Sequence, residues 1–204
     1  VPEYVAVLPS IQQEWTNRCL RTCKIDVCVV DNIPSNRGVA ASWNQGVQWM
    51  RDEGKDWLII MSATCRFGES GGQDLLDALD VHPTAMAVEA WFLGWHLIAF
   101  HRRVFDLVGT FDENFYPAYF EDNDFGYRIT RALGTDLGPW WPKPFLDVSD
   151  AGPAHGVRFA GVQSPAQPLI DYYTRKWGGP PGHETFDRPF GNNSNELSYW
   201  EPRR

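Results

Sequence analysis

The chain contains no apolar run near the roughly 20 residues that a membrane-spanning helix needs, so none is expected. Its opening residues, VPEYVAVLPS, lack the basic stretch and cleavage site of a secretory signal. Together these point to a cytoplasmic protein with no membrane partner. Positive charge is short as well. Lys and Arg number 18 against 26 Asp and Glu, a net charge of −8, which speaks against a protein built mainly to grip phosphate backbones. An occasional nucleic-acid acceptor stays open. The four cysteines, Cys19, Cys23, Cys28 and Cys65, form no ladder of the kind that staples small secreted folds. Cys19 and Cys23 lie one helical turn apart, yet no histidine is near them in sequence to complete a zinc set, and reduced thiols are the expectation. Internal repeats and low-complexity segments are missing too.

What is present is aromatic. Ten tryptophans in 204 residues are far above ordinary usage; many are expected in the core, and an indole face with a polar edge also suits a ligand that has apolar and hydroxylated sides. Along the chain, Tyr4 to Leu8 reads as a strand that stops at Pro9, and Val27 to Asp31 as a buried strand ending in an acid. Trp57 to Met61 is a third strand and Ala85 to Ala90 a fourth. Between them, Trp15, Cys19, Leu20 and Cys23, then Val39, Ala40, Trp43, Val47 and Met50, and then Leu75, Leu76 and Leu79 recur at helical spacing. HLIAFHRRVFDLVGTFDENF reads as strand, short helix and turn, followed by a helix from Asp122 to Leu133 that Gly134 closes. From Gly138 the chain is rich in Pro, Gly and Trp, interrupted by a helix from about Leu169 to Trp177. This tail is expected to wrap the core.

Alternating strands and helices predict an α/β fold with a mostly parallel central sheet flanked by helices. The chain is expected to be one domain, with halves at residues 1–100 and 101–204. Ligands of such sheets bind beyond the carboxyl ends of the strands, where Pro9 and Ser10, Asp31 and Asn32, and Ser62 to Thr64 fall.

FYPAYFEDNDFGYRI gathers Glu121, Asp122 and Asp124 directly behind Phe115, Tyr116, Tyr119 and Phe120. A helix N-terminus stabilises such acids by roughly 0.3–1 kcal/mol each, and on spacing alone this structural reading leads. A general base at the mouth of a sugar-transfer site is the other reading.

The order of CVVDN, NRGVAASWNQGV and DWLIIM, followed by AFHRRVFDLVGTFDENFYPAYFEDNDFGYRITRALG, resembles the inverting glycosyltransferases of the GT-A (Rossmann-like) fold, family 2 type, over Tyr4 to Gly134. The compact length is similar to bacteriophage-type members. The resemblance implies that Asp122 is the catalytic base, with Glu121 and Asp124 as supporting groups. It implies that Asp31 contacts the base or ribose of the donor, that Pro9 and Ser10 line the same pocket, and that Asn36, Arg37, Gly38 and Asn44 lie beside the nucleotide.

One departure stands out. The family carries a metal-binding DxD-like element after the third strand, and this chain has Ser62, Ala63 and Thr64 there, without a carboxylate. Hydroxyls are weak ligands for Mg²⁺ or Mn²⁺, so a divalent metal is left undecided and metal independence is favoured. Charge on the diphosphate would then be met by backbone N–H groups and by cations among Arg37, Arg66, His155, Arg158, Arg175 and Lys176. His155, Arg175 and Lys176 are the foremost of these, each with a packed or surface role as its alternative. Trp95 and Trp141 are acceptor-facing candidates, with core packing as the default.

The resulting expectation is transfer of a sugar from a nucleotide-sugar donor, a UDP-sugar first and a GDP-sugar second, to a hydroxyl of a soluble acceptor such as a protein, a small glycan or modified DNA. The alternative is a non-catalytic nucleotide-sugar or glycan-binding protein on the same fold. A sugar-phosphate nucleotidyltransferase is disfavoured, because LPSIQQEWTNR is not a glycine-rich phosphate loop.

Overall fold

The computed structural model describes residues 2–89, 95–134 and 166–191. Strand β1 (Tyr4–Ser10), helix α1 (Gln13–Thr22), β2 (Cys28–Asp31), α2 (Val39–Asp52), β3 (Trp57–Met61), α3 (Gln73–Val81), β4 (Ala87–Glu89), β5 (Leu97–His101), α4 (Arg102–Val108), α5 (Glu121–Leu133) and α6 (Ala166–Trp177) follow in order. The sheet order is β2-β1-β3-β5-β4. β1 pairs in parallel with β2 and with β3, while β5 runs antiparallel to both β3 and β4. Four strands therefore share one direction and β5 opposes them. This is the mostly parallel α/β sheet that the alternation of elements predicts.

Each face of the sheet is covered. Ala6, Leu8, Ile59 and Met61 pack with Cys19 of α1 and with Leu75, Leu76 and Leu79 of α3. The alternate residues, Val5, Val7, Leu58, Ile60, Ile98 and Phe100, pack with Trp43 and Val47 of α2, Val104 and Phe105 of α4, and Phe125 and Ile129 of α5. This is the period-2 division that a strand buried on both faces requires. Gly46 lets α2 lie close on the sheet. A Cβ there would come 2.8 Å from both Leu58 and Val7, closer than side chains pack.

Two expectations need correction. β1 does not stop at Pro9 but runs to Ser10. The Ser10 carbonyl accepts the Asn32 N–H, so the nitrogen of Pro9 faces the other side, where pairing with β3 has already ended at Val7. The missing N–H of the proline costs no ladder bond. β2 is not a buried strand. It lies at the sheet edge, with Val30 buried and Cys28, Val29 and Asp31 exposed.

The described part of the tail adds a third apolar cluster. Leu169, Tyr173 and Trp177 of α6 form a small cluster with Phe115. Cys19 and Cys65 are buried, Cys23 is half-buried and Cys28 is exposed, all as free thiols.

Candidate active site

The carboxyl ends of β1, β2 and β3 place Ser10, Asp31 and Ser62 along one edge of the sheet. Asp31 is exposed, and its Oδ1 accepts the Ile33 N–H at 2.9 Å, turning the chain away from the strand. Behind it Asn32 is buried and donates from Nδ2 to Ser42 Oγ at 2.8 Å. Ser10 is buried against the Thr16 hydroxyl at 2.7 Å, and Pro9 is half-buried.

The loop after β2 reaches α2 through Asn36, whose Oδ1 accepts the Gly38 N–H at 2.9 Å. Gly38 has φ 88°, and a Cβ there would lie 3.0 Å from the Tyr116 ring. That close approach makes room for a second connection. Pro117 O accepts the Val39 N–H at 2.9 Å, and the Tyr116 hydroxyl donates to Asn36 O at 3.1 Å. The segment leading into α5 is thus tied to the start of α2, beyond the strand ends. Arg37 is exposed in that loop.

Asn44 is engaged with the GTFDENF turn. Its Oδ1 accepts the Phe111 N–H, and its Nδ2 donates to Phe111 O and to Glu113, all within 2.8–2.9 Å. It clamps α2 to the GTFDENF turn. Asp112, in that turn, accepts from Asn114, Tyr172 and Lys176.

Tyr119 and Phe120 enter α5 with φ 83° and 71°. Two successive bulky residues in the left-handed region carry a cost on the order of 1–3 kcal/mol each, a strain that collects at functional sites. The three acids then part company. Asp124 is wholly buried, with Arg128 at 2.9 Å, Lys176 at 2.5 Å and the Trp177 indole N–H at 2.9 Å. Burial alone would raise its carboxyl, but the charges of Lys176 and Arg128 and the hydrogen bonds from Lys176 and Trp177 hold it below the ordinary value. Glu121 is also buried, and its Oε2 has no hydrogen-bond partner among the described residues. Burial first, and the Asp122 charge second, push it up to about 8. Asp122 keeps part of its surface open, its Oδ1 accepts the Asn123 N–H at 2.8 Å, and crowding by protein raises its carboxyl as well.

Lys176 needs correction as a phosphate ligand, because it is fully buried between Asp112 and Asp124. Arg175 is exposed and sits over the Tyr172 ring. Arg66 donates to the carbonyls of Ala63 and Cys65 and covers the Trp15 ring. Trp95 packs edge-on against Phe100 and Phe125 and is only partly exposed. Trp141, His155 and Arg158 lie outside the described residues.

At the end of β3, the Ser62 and Thr64 hydroxyls are 2.9 Å apart, and Thr64 Oγ1 lies 3.2 Å from His96 Nδ1. Ala63 between them is buried. His96 escaped sequence reasoning. It stands just ahead of β5, and only the antiparallel register, with Met61 opposite Leu97, brings it across from Ser62. Glu89 ends β4, and burial raises its carboxyl to about 7.

A mannosyltransferase from Pyrobaculum calidifontis, PcManGT, solved with GDP-Man and Mn²⁺, aligns over 71% of this chain at 16% identity and a TM-score of 0.50. The fold is GT-A-like. This chain spans 56% of the length of that protein. TarS 1–349 of S. aureus aligns over 64% of this chain and 56% of its own, at 10% identity and a TM-score of 0.47. No protein-family model matches the sequence, and no curated protein does.

The family that the sequence resembles carries a divalent metal after its third strand. Among the described residues no group of three His, Cys, Asp or Glu side chains converges to hold an ion. Ser62, Ala63 and Thr64 offer hydroxyls and backbone where a hard cation favours anionic oxygens. The residues at that position do not fit a divalent cation.

Proposed function

We propose that the protein is an inverting glycosyltransferase that moves a sugar from a nucleotide-sugar donor to the hydroxyl of a soluble acceptor. The observation that carries this reading is the division of labour among the three acids at the start of α5. Asp124 is consumed by Arg128, Lys176 and Trp177, and Glu121 is enclosed, with a carboxyl that keeps its proton at neutral pH. Asp122 alone is partly open. Its raised carboxyl is a stronger base than a free aspartate, and it sits where the α5 approach is tied to the loop after β2.

In this mechanism the acceptor oxygen attacks C1 of the donor sugar from the face opposite the diphosphate. Its proton passes to Asp122 as the new C–O bond forms, and the bond from C1 to the diphosphate oxygen breaks, releasing the nucleoside diphosphate. General-base assistance of this kind contributes ~10²–10⁴-fold, and alignment of the two substrates supplies much of the rest. Asp31, Pro9, Ser10, Asn36, Arg37 and Gly38 would line the nucleotide side, where an exposed Asp31 would meet the ribose or base. The GDP-Man bound to PcManGT supports a nucleotide-sugar donor. UDP- and GDP-sugars are the first to test.

A second reading has its own observation. A metal element without carboxylates also suits a protein that binds a nucleotide sugar without turning it over. Incubation with UDP-, GDP-, dTDP- and CMP-sugars, followed by measurement of released nucleotide, separates the two. Binding without release by any donor, with or without candidate acceptors, would leave the binding protein as the better description.

A further inference from the structure

We infer that Tyr116 and Tyr119 form a platform for a carbohydrate acceptor, on which a sugar ring stacks so that its hydroxyl reaches Asp122. This deepens the transferase reading above and rests on it.

Among the described residues these two are the only aromatic side chains that stand exposed, at 50% and 58%. Both belong to the stretch that leads into α5, and they differ from its other rings. Phe115 is buried against Tyr172, and Phe120 is turned inward to Tyr173, with 6.0 Å between ring centres. Tyr119 has φ 83°, a conformation that a bulky residue adopts only at a cost. Its ring points outward and takes no ring or hydrogen-bond partner among the described residues. Strain is thus held at a ring that core packing does not use.

Tyr116 is fixed where Tyr119 is free. Its ring lies on Gly38, where a Cβ would come within 3.0 Å of it, and its hydroxyl donates to Asn36 O at 3.1 Å. The ring is immobilised before any ligand arrives, so little side-chain freedom is lost on binding. The chain itself sets both rings beside the proposed base. Phe120 O accepts the Asp124 N–H at 2.9 Å, so Asp122 lies in the first turn of α5. Three residues of chain span at most about 11 Å, which one short oligosaccharide bridges from Tyr119 to Asp122.

The surroundings select the class of ligand. A tyrosine face is apolar with a hydroxyl at its edge, and it matches a pyranose, whose C–H face is apolar and whose rim is hydroxylated. On the two segments tied together here, Asp31 and Asp122 meet solvent against Arg37 as the exposed cation. Carboxylates accept hydrogen bonds from sugar hydroxyls and repel a phosphate backbone, which runs against a nucleic acid. A serine or threonine of a protein acceptor would reach Asp122 yet leave both rings uncovered.

The test is calorimetric titration of the full chain, with UDP and separately with GDP present, using glucose, cellobiose, maltose, lactose and chitobiose. A serine- and threonine-containing peptide and a 5-hydroxymethylcytosine oligonucleotide are the other arms, and nucleotide release from sugar donors is followed in parallel. At least one disaccharide is expected to bind, and Tyr119→Ala to weaken it about 10-fold, as loss of a half-covered aromatic contact would give. Tyr119→Phe and Tyr119→Trp should restore it. Tyr119→Gly removes the ring while easing the backbone, so it should lose the saccharide with melting temperature and nucleotide affinity kept. Tyr116→Phe should keep the saccharide and Tyr116→Leu should weaken it. If no saccharide binds, or if Tyr119→Ala and Tyr119→Gly bind it as the wild type does, the platform is overturned and the transferase is left intact. Release stimulated by the peptide or the oligonucleotide and by no saccharide would overturn it equally. Saccharide binding with no nucleotide released from UDP-, GDP-, dTDP- or CMP-sugars would instead overturn the transferase, and the acceptor role with it.

Discussion

Lys176 sets its ammonium 2.5 Å from Asp124 and 2.8 Å from Asp112, and all three side chains are buried. Arg128, also buried, holds the far side of Asp124 and donates to Val108 O. Two acids and two bases thus neutralise one another where α6, α5 and the GTFDENF turn meet. Lys176→Met would leave Asp112 enclosed without its cation and Asp124 with Arg128 alone. The expected loss of stability is about 3–5 kcal/mol, read from denaturant unfolding. A Lys176 that served a diphosphate would instead give unchanged unfolding and weaker donor binding. The lowered Asp124 carboxyl adds a pH signature. Its stabilisation is present above the ordinary aspartate range and is lost as pH falls through its lowered folded-state value, so wild-type melting should drop on acidification.

The sheet was legible because its signal is local. WLIIM reads as a strand from Trp57 to Met61 and is one, and the apolar spacing of Val39 to Met50 is a helix of that register. Edge position was not legible, since Val27 to Asp31 is as apolar as a central strand and only the sheet order exposes Val29. The acid block was recognisable as a unit, yet its internal division was not. Asp124 differs from Asp122 through Lys176 and Trp177, which come from a distant helix. His96 depends on a pairing between strands, and no spacing along the chain announces it.

Asn44 makes its three hydrogen bonds to the Phe111 backbone and to Glu113. Asn44→Ala would strip the partners from both backbone groups of Phe111, at about 1–3 kcal/mol for a buried group left unsatisfied. The expected result is a lower melting temperature with nucleotide affinity little changed. A selective loss of nucleotide affinity at unchanged melting temperature would restore Asn44 to the donor pocket.

Glu121 carries a pH dependence of opposite sign to that of Asp124. Its folded-state value is raised from 4.5 to about 8, so its contribution to stability is fully present below the ordinary glutamate range and is lost as pH rises towards 8. Glu121→Gln keeps the shape and removes the ionisation. The variant should gain on the wild type as pH is raised from 5 to 9, as followed by melting temperature. Asp122, raised in the same direction, leaves a smaller slope of the same sign in the variant. Parallel melting curves for the two proteins across that range would show that Glu121 is not held protonated.

Asp122 decides between a helix-capping acid and a base. Its Oδ1 takes the Asn123 N–H, and an asparagine oxygen accepts that bond equally well. As a cap, then, Asp122→Asn would be mild in every measurement. As a base, the same near-isosteric change removes the proton acceptor and opens no cavity. Transfer should fall by at least ~10²-fold in kcat, in line with general-base contributions, while donor affinity and melting temperature barely move. Asp124→Asn should show the reverse, because Asp124 is spent on Arg128, Lys176 and Trp177: a marked loss of stability leaving an uncompensated Lys176, with any loss of rate following from it. Glu121→Gln is expected to retain most of the rate at neutral pH, where the wild-type carboxyl already holds a proton. The decisive comparison is kcat for the three variants beside their melting temperatures. A fully active Asp122→Asn protein would remove Asp122 from the chemistry, and a collapse of rate in Glu121→Gln at unchanged stability would move the proton transfer to its neighbour.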